Sequence, residues 1–417
     1  MRSGTWTLAA GLAFTAGCSD GDATGDSAVT AVVGPCAGGG WGAIGDPDAA
    51  IHVRSDGSDE TGDGSLAAPY ATLDAGLAAS RAAGASPVAV GPGSFQAGLV
   101  LSDDSGDGSS DDGLALEGCG ATETTLTGDD SDSLIRVVGV QELRLAGLGL
   151  EGGRRTLWLR AGTIAGIEDL SLTGATRLGL VVDGSSTLVD AERLTVTDTL
   201  PETLSSGASM GYGISVDGGS LILRDGVVDG STGVGILAAF ATLDLAGVQV
   251  NGTLAGADGT LGRGVQLQEL SLGLIADTSL RDNQDAALFA TRAVDLQVTG
   301  LTVETVAAGL VPGQSDTTGD GIVVTQGAAG DSDPADFTAT LHDCLIDGTA
   351  RAAVLLDGVT ADLEAHTHQD NGLVVDGSST ISQGETVLSG SVAAAVVDAD
   401  SELLINHQAV ELDDYTD

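Results

Sequence analysis

The sequence predicts an all-β solenoid: a single-stranded parallel β-helix opened by a short N-terminal capping helix. Three observations predict it. The nine residues GLVVDGSST stand at Gly179–Thr187 and again, letter for letter, at Gly372–Thr380. A unit of 22 residues recurs between and around them, as in the pair that starts at Gly213 and Gly235. The chain of 417 residues holds 64 Gly and only 3% aromatics. Turns are therefore frequent, and the core is left to Leu, Val, Ile and Ala.

The repeat is read by setting GISVDGGSLILRDGVVDGSTGV, from Gly213, above GILAAFATLDLAGVQVNGTLAG, from Gly235. Ile214 then meets Ile236, Leu221 meets Leu243, Leu223 meets Leu245, Val228 meets Val250 and Asp229 meets Asn251. Further units start near Leu134, Thr156, Gly179, Gly264, Leu288, Gly321, Ala353, Gly372 and Ala395. Each carries two or three short alternating apolar runs separated by Gly, Asp, Ser or Asn, which suits strands joined by tight turns. Such a unit cannot bury its own apolar face, whereas a stack of units can. Stacked coils rise by about 4.8 Å each, so the rod spans roughly 55–60 Å. The repeated phrase is one strand plus one corner, with Asp183-Gly184 as its turn. Seven minimal units separate the copies, and the surplus residues fall in loops.

Taken in order, residues 1–18 read as a targeting segment. MRSGTWTLAAGLAFTAGC has one Arg, a short apolar stretch, small residues and then Cys18. The run is too short to span a bilayer. It resembles a bacterial lipoprotein signal ending in the lipobox TAGC, with Thr15 where Leu is usual. The resemblance implies that Cys18 is lipidated and anchors the chain to a membrane, and Ser19 after it implies the outer membrane or cell surface. The alternative is an ordinary secretory signal cut nearby. Residues 19–50 are acidic, Gly-rich and aperiodic, a flexible tether. Removing Cys18 leaves Cys36, Cys119 and Cys344. Export brings oxidising conditions, so a Cys36–Cys119 disulfide is expected, with Cys344 a buried free thiol.

Residues 51–133 form the cap and first coils. Ile51–Arg54 reads as a strand, Asp56–Gly64 as turn chemistry, Thr72–Ala83 as a short helix with Leu73 and Leu77 four apart, and PVAVGPGSFQAGLVL as strand again. This order of strand, Asp/Gly turn, APYATLDAGL helix and VGPGSF strand resembles the N-terminal opening of pectate-lyase-like parallel β-helix proteins, over about forty residues. That resemblance implies a right-handed coil with the helix covering its first turn. Residues 134–417 are the remaining coils. Three insertions, Thr199–Gly211, Thr253–Gly262 and Thr305–Gly319, follow the same strand of their units and so stack on one side of the rod. Gly327–Asp336 interrupts a different corner.

Net charge is −45, and every basic residue is Arg. Such a surface repels nucleic acid and anionic lipid, and polyuronate sugars unless metal ions intervene. The family resemblance raises lyase and hydrolase chemistry, but the chain has no Lys and no Gly-His-Gly. No catalytic residue is assigned. His366 and His368 lie two apart on one strand face without an evident third ligand, and Arg154, Arg155 and Arg160 read as partners for the abundant Asp. Ser102–Gly113 has the composition of a calcium loop without its spacing. Trp158, Tyr212, Phe240 and Phe289 look too dispersed for a sugar platform.

One column invites a cofactor. Asp198, Asp229, Asn251, Asp282, Glu304 and Asp347 each sit at or just after the same strand end in successive or nearby units. Either they are turn formers or calcium sits between them, since oxygen-only ligands suit that ion. Two functions remain open. One is a surface-anchored, non-catalytic β-helix lipoprotein with an envelope structural or interaction role, its partners being polysaccharide or another envelope protein. The other is a polysaccharide lyase or glycoside hydrolase working in an acidic groove beside the insertion loops.

Overall fold

Each coil of the chain runs through three strands in a fixed order, and each strand pairs in parallel with its equivalents one coil below and one above. In the coil that begins at Leu178 the strands are Leu178–Asp183, Leu188–Glu192 and Thr195–Thr197. They belong to three sheets of 12, 15 and 12 strands, called first, second and third in the order the chain visits them. The computed structural model describes Cys36 and residues 47–409, except 105–109, 129–131, 204–208, 258, 260, 294, 310–317, 327–336, 358, 365, 369–372, 377–379, 384–385, 389–394, 398–401 and 406–407; side chains are described as far as Leu363. Residues 34–417 are one compact unit. Cys18, nearly all of the tether, the centre of Ser102–Gly113, the loop Gly327–Asp336 and the side chains of His366 and His368 lie outside the described residues.

The 22-residue register is borne out pair by pair. Ile214 faces Ile236, Leu221 faces Leu243, Leu223 faces Leu245, Val228 faces Val250 and Asp229 faces Asn251. The second copy of the repeated phrase supplies Leu373–Asp376, which lies in the first sheet seven strands beyond Leu178–Asp183. Strict alternation marks second-sheet strands such as Leu188–Glu192, while first-sheet strands bury longer runs; the inward Leu, Val and Ile are almost fully buried, as with Leu157, Leu180, Ile214, Ile236 and Val265 at 0% exposure. Each such side chain contributes about 1.5–3 kcal/mol. The column continues from coil to coil, so no unit has to close a core alone.

The Gly that opens so many units has a packing reason. A Cβ at Gly179, Gly213, Gly235 or Gly321 would sit 2.4–2.7 Å from the carbonyl oxygen of the equivalent residue one coil on. The same Cβ would strike the polar side chains that turn inward at this corner: Ser231 Oγ at 2.6 Å for Gly213, and Asn283 Nδ2 at 2.9 Å for Gly264.

The bend from second to third sheet is a single residue in the left-handed region. Asp169, Arg193, Asp225, Gly247, Asp277, Gly300 and Asp343 occupy it in successive coils, with φ between 46° and 68°. Asp and Gly tolerate this conformation best. Gly247 and Gly300 are needed for space as well, because a Cβ there would lie 2.7 Å from Asp225 Oδ1 and 2.6 Å from Asp277 Oδ1.

At the N-terminal end, the helix Leu73–Ala82 buries Leu73, Gly76, Leu77 and Ser80 against the first coil. Thr72 caps it, its hydroxyl accepting from Ala75 N at 3.2 Å. Asp59, from the Asp/Gly turn, accepts from Ala71 N, Thr72 N and the Thr72 hydroxyl at 2.8, 3.1 and 2.8 Å. Burial alone would raise the Asp59 pKa; these bonds from Thr72 and Ala71 outweigh it and hold the carboxyl below its ordinary value. Cys36 and Cys119 are disulfide-bonded, with Cα atoms 5.1 Å apart. Cys344 is a buried free thiol, pushed up to about 12 by burial.

Candidate functional site

The insertions Thr199–Gly211, Thr253–Gly262 and Thr305–Gly319 all join a third-sheet strand to the next first-sheet strand. They therefore flank one long edge of the outward face of the first sheet. Part of the first insertion folds back as a two-stranded ribbon, Glu202–Thr203 against Ser209–Met210. Glu202 fastens it to the sheet: Arg154 Nη2 lies 2.8 Å and Arg177 Nε 3.7 Å from its carboxylate. The bond from Arg154 holds the Glu202 pKa below its usual value, against burial, and the same pairing raises that of Arg154.

Strand pairing sets the outward residues of the first sheet in columns. The central column runs Val100, Arg136, Trp158, Val181, Ser215, Leu237, Gln266, Phe289, Val323 and Leu355. Trp158 carries Arg155 and Arg160 against its ring, with guanidinium carbons 3.9 and 4.5 Å from the centroid. Phe289 carries Arg263 at 3.5 Å. Tyr212 stands in the neighbouring column, paired with Leu178, and burial raises its hydroxyl pKa. The aromatics that look scattered in the sequence are thus gathered: three of the four share this face, while Phe240 stands at the turn that leaves it, 56% exposed. Insertions of unequal length hide this, since they break any constant sequence offset between Trp158 and Phe289.

Of the three arginines expected to pair with Asp, Arg155 and Arg160 do, and Arg154 pairs with a Glu instead. Arg155 meets Asp132, Arg160 meets Asp183 at 3.8 Å, and Arg154 meets Glu202. Farther along the same face, Arg263 meets Asp285 at 2.6 Å, and Arg351 Nε donates to the buried Asp320 at 2.8 Å.

A convergent cluster of carboxylates and arginines also exists, at the opposite corner from the insertions. It lines a hollow of about 650 Å³ between the second and third sheets. Arg144 bonds Glu117 at 2.9 Å and Glu168 at 2.5 Å. Arg193 bonds Glu168 and Asp169 at 2.6 Å each, and Glu192 as well. The hydrogen bond to Asp169, against burial, raises the Arg193 pKa. Every carboxylate in the cluster is held by a guanidinium.

The acidic column needs a correction. Partner by partner it reads Thr197, Asp229, Asn251, Arg281, Glu304 and Asp347. Asp198 and Asp282 do not stand in it. Both take positive φ, 55° and 53°, one residue beyond the column position. Arg281 occupies the place given to Asp282, and its Nε lies 3.2 Å from Glu304 Oε2. Among the described residues, no three His, Cys, Asp or Glu side chains are grouped closely enough to hold a metal ion.

No family model matches the chain, and no curated protein matches it. Solved structures do. The catalytic unit of a thermostable GH87 α-1,3-glucanase from Streptomyces thermodiastaticus strain HF3-3 is 15% identical over 87% of this chain and 68% of its own, with a TM-score of 0.47. The Dettilon tailspike protein is 11% identical over 85% and 68%, with a TM-score of 0.46. Pectate lyase Pel9A is 11% identical over 83% and 78%, with a TM-score of 0.37. Among the described residues no helix is long and apolar enough to cross a membrane.

Proposed function

We propose that this chain is an exported, lipid-anchored, non-catalytic β-helix whose first-sheet face binds a linear saccharide at the cell envelope. One observation carries the reading: the arginine-backed rings of Trp158 and Phe289 stand in a single outward column beside the stacked insertions. Five strand steps separate them, roughly 24 Å. Guanidinium contacts, two on the Trp158 ring and one on the Phe289 ring, fix the orientation of each ring, and a sugar would meet the surface they leave uncovered. Between and beyond the rings, Leu237 is half-buried and apolar, Val181 and Val323 are buried, and none of the three is an acid or base.

Anchoring is a separate part of the same proposal and rests on the TAGC motif at Cys18. Cys18→Ser is expected to move the protein from the membrane fraction to the soluble one; a wild-type protein found soluble with another N-terminus removes the anchor. For the face, titration calorimetry against a panel of polysaccharides should find at least one binder. Trp158→Ala and Phe289→Ala should each weaken it roughly ten-fold, the equivalent of about 1.4 kcal/mol. The rival reading, a polysaccharide lyase or glycoside hydrolase, draws on the charged hollow around Arg144 and Arg193. New reducing ends or unsaturated products that vanish in Arg144→Ala or Arg193→Ala would replace the binding function with that one.

A further inference from the structure

The rod carries 60 acidic residues against 15 basic ones, so any arginine left without a carboxylate is notable. Among the described residues Arg136 is the one such arginine; all others lie within 4.0 Å of an Asp or Glu. Arg136 is half-buried on the first-sheet face, between Val100 and Trp158 in the central column. Asp132, the nearest acid in sequence among the described residues, is taken by Arg155.

The surroundings of Arg136 have a surplus of donors. Arg136 Nε, Arg155 Nε, Trp158 Nε1 and the Ser133 hydroxyl are covered and make no hydrogen bond. They sit on two adjacent strands, Ser133–Val138 and Arg155–Arg160. Unmet buried donors are costly and uncommon, and four in one patch mark a surface short of acceptors. A hollow of about 230 Å³, lined by Gly98, Val100, Asp132, Ser133, Leu134 and Arg136 among others, opens beside them. Its one carboxylate, Asp132, is already paired with Arg155, which leaves the Arg136 guanidinium as the charge in its wall without a partner.

We infer that the Arg136 patch binds the anionic group, carboxylate or sulfate, of an acidic saccharide whose ring lies along Trp158; the inference rests on the saccharide-binding reading of this face. An anion brings the acceptors the patch lacks, and a planar guanidinium takes a carboxylate or sulfate through paired N–H bonds. The bulk charge of −45 does not forbid this. At about 0.15 M salt, charges more than about 8 Å away are largely screened, so the unpaired guanidinium in contact governs the final approach. Composition argues for repulsion of acidic sugars; the placement of one arginine reverses that at one place on the surface.

The test is calorimetric titration of the whole exported chain at 0.15 M NaCl with EDTA, so that no metal bridges the acids. The probes are a hexameric uronate, its methyl ester and a sulfated neutral hexasaccharide. The free acid should bind at least ten-fold more tightly than the ester. Arg136→Gln should abolish that preference, and Arg136→Lys, which keeps the charge, should retain part of it. An equal gain with the sulfated probe assigns the site to anions in general, and no gain assigns it to carboxylate. Ester binding as tight as acid binding, or a preference that survives Arg136→Gln, overturns the inference and leaves the saccharide-binding face intact. Failure of all three probes to bind, with the panel above also silent, overturns both.

Discussion

Two corners of the coil do different work. The corner between second and third sheets is one residue in the left-handed region, and from Asp169 to Asp343 it does not vary in length. Its charges are closed: Arg144 and Arg193 are each shared among carboxylates. The corner between third and first sheets varies freely. It is tight between Asp229 and Val234 and opened by an insertion between Asn251 and Arg263, and the face beside it carries Trp158, Phe289 and the unpaired Arg136. A solenoid transmits register through the corner that cannot change, and is thereby free to elaborate the corner that can. Ion pairing at the first corner marks structure; an arginine without a partner marks a surface built to meet something else.

The sharpest way to break the comparison is to alter the invariant packing. Gly300→Val puts a β-branched residue at φ 68°, in the bend between second and third sheets, where its Cβ would lie 2.6 Å from Asp277 Oδ1 and 3.4 Å from Asp277 N. The Asp277 backbone is the bend of the neighbouring coil and cannot move without disturbing the ladder. Destabilisation above about 3 kcal/mol is expected, at the severe end for one substitution, read as a lower urea midpoint or insoluble protein. Shortening Thr253–Gly262 by three residues should cost less than about 1 kcal/mol, because loop closure depends weakly on length. If the loop change is the more damaging of the two, the roles of the corners are reversed.

Next in size is the staple at the N-terminal end. The Cys36–Cys119 bond closes a loop with a sequence separation of 83. Replacing both cysteines by Ser should lower stability by about 2–4 kcal/mol. Cys344 should remain unlabelled by thiol reagents in native protein, since burial pushes its thiol up to about 12 and keeps it protonated. Rapid labelling of Cys344 without denaturant would mean the coils around Leu345–Thr349 open far more readily than the first ones.

These contrasts also explain what the sequence disclosed. Leu221 over Leu243 and Val228 over Val250 are legible because no insertion separates their coils and period-two burial marks their strands. The site was less legible for two physical reasons. Insertions change the spacing between coils, so Trp158 and Phe289 share a column that no fixed offset reveals. Asp before a turn also looks alike whether it ends a strand or forms the bend. Sequence alone therefore groups Asp198 and Asp282 with a column whose members are Thr197 and Arg281. The pairing state of Arg136 left no trace in sequence, because it is a property of what lies across the strand.

A smaller effect is expected from pH at the cap. Asp59 has a folded pKa below its ordinary value, through its bonds from Thr72 and Ala71. A depressed carboxyl gives stability that is present above the unfolded pKa, near 3.9, and is lost as pH falls through the folded pKa. Amide exchange in Leu73–Ala82 should therefore accelerate below about pH 4 relative to exchange in the central coils. Asp59→Asn should exchange faster already at pH 7 and lose this extra acid sensitivity. Because Asp59 is exposed to solvent, the shift should stay local to the helix rather than unfold the rod.

The smallest expected effect is that of calcium. Two bare carboxylates about 5 Å apart repel by about 3 kcal/mol at an effective dielectric of about 20, and by less when solvated. A column of uninterrupted acids would give a divalent cation that repulsion to relieve. The column is not uninterrupted: Asn251 separates Asp229 from Arg281, and Arg281 lies 3.2 Å from Glu304. Glu304 and Asp347 are its one pair of adjacent acids among the described residues. With the guanidinium already beside Glu304, little remains for an ion to neutralise. Millimolar Ca²⁺ should accordingly change the melting temperature by less than about 2 °C relative to EDTA, the scale of a sub-kilocalorie effect in a domain of this size. A rise of many degrees that disappears in Glu304→Gln with Asp347→Asn would place a cation at that pair. The same rise lost only in Asp198→Ala with Asp229→Ala would move the ion to the turn, and would make Asp198 a ligand rather than the residue that bends the chain.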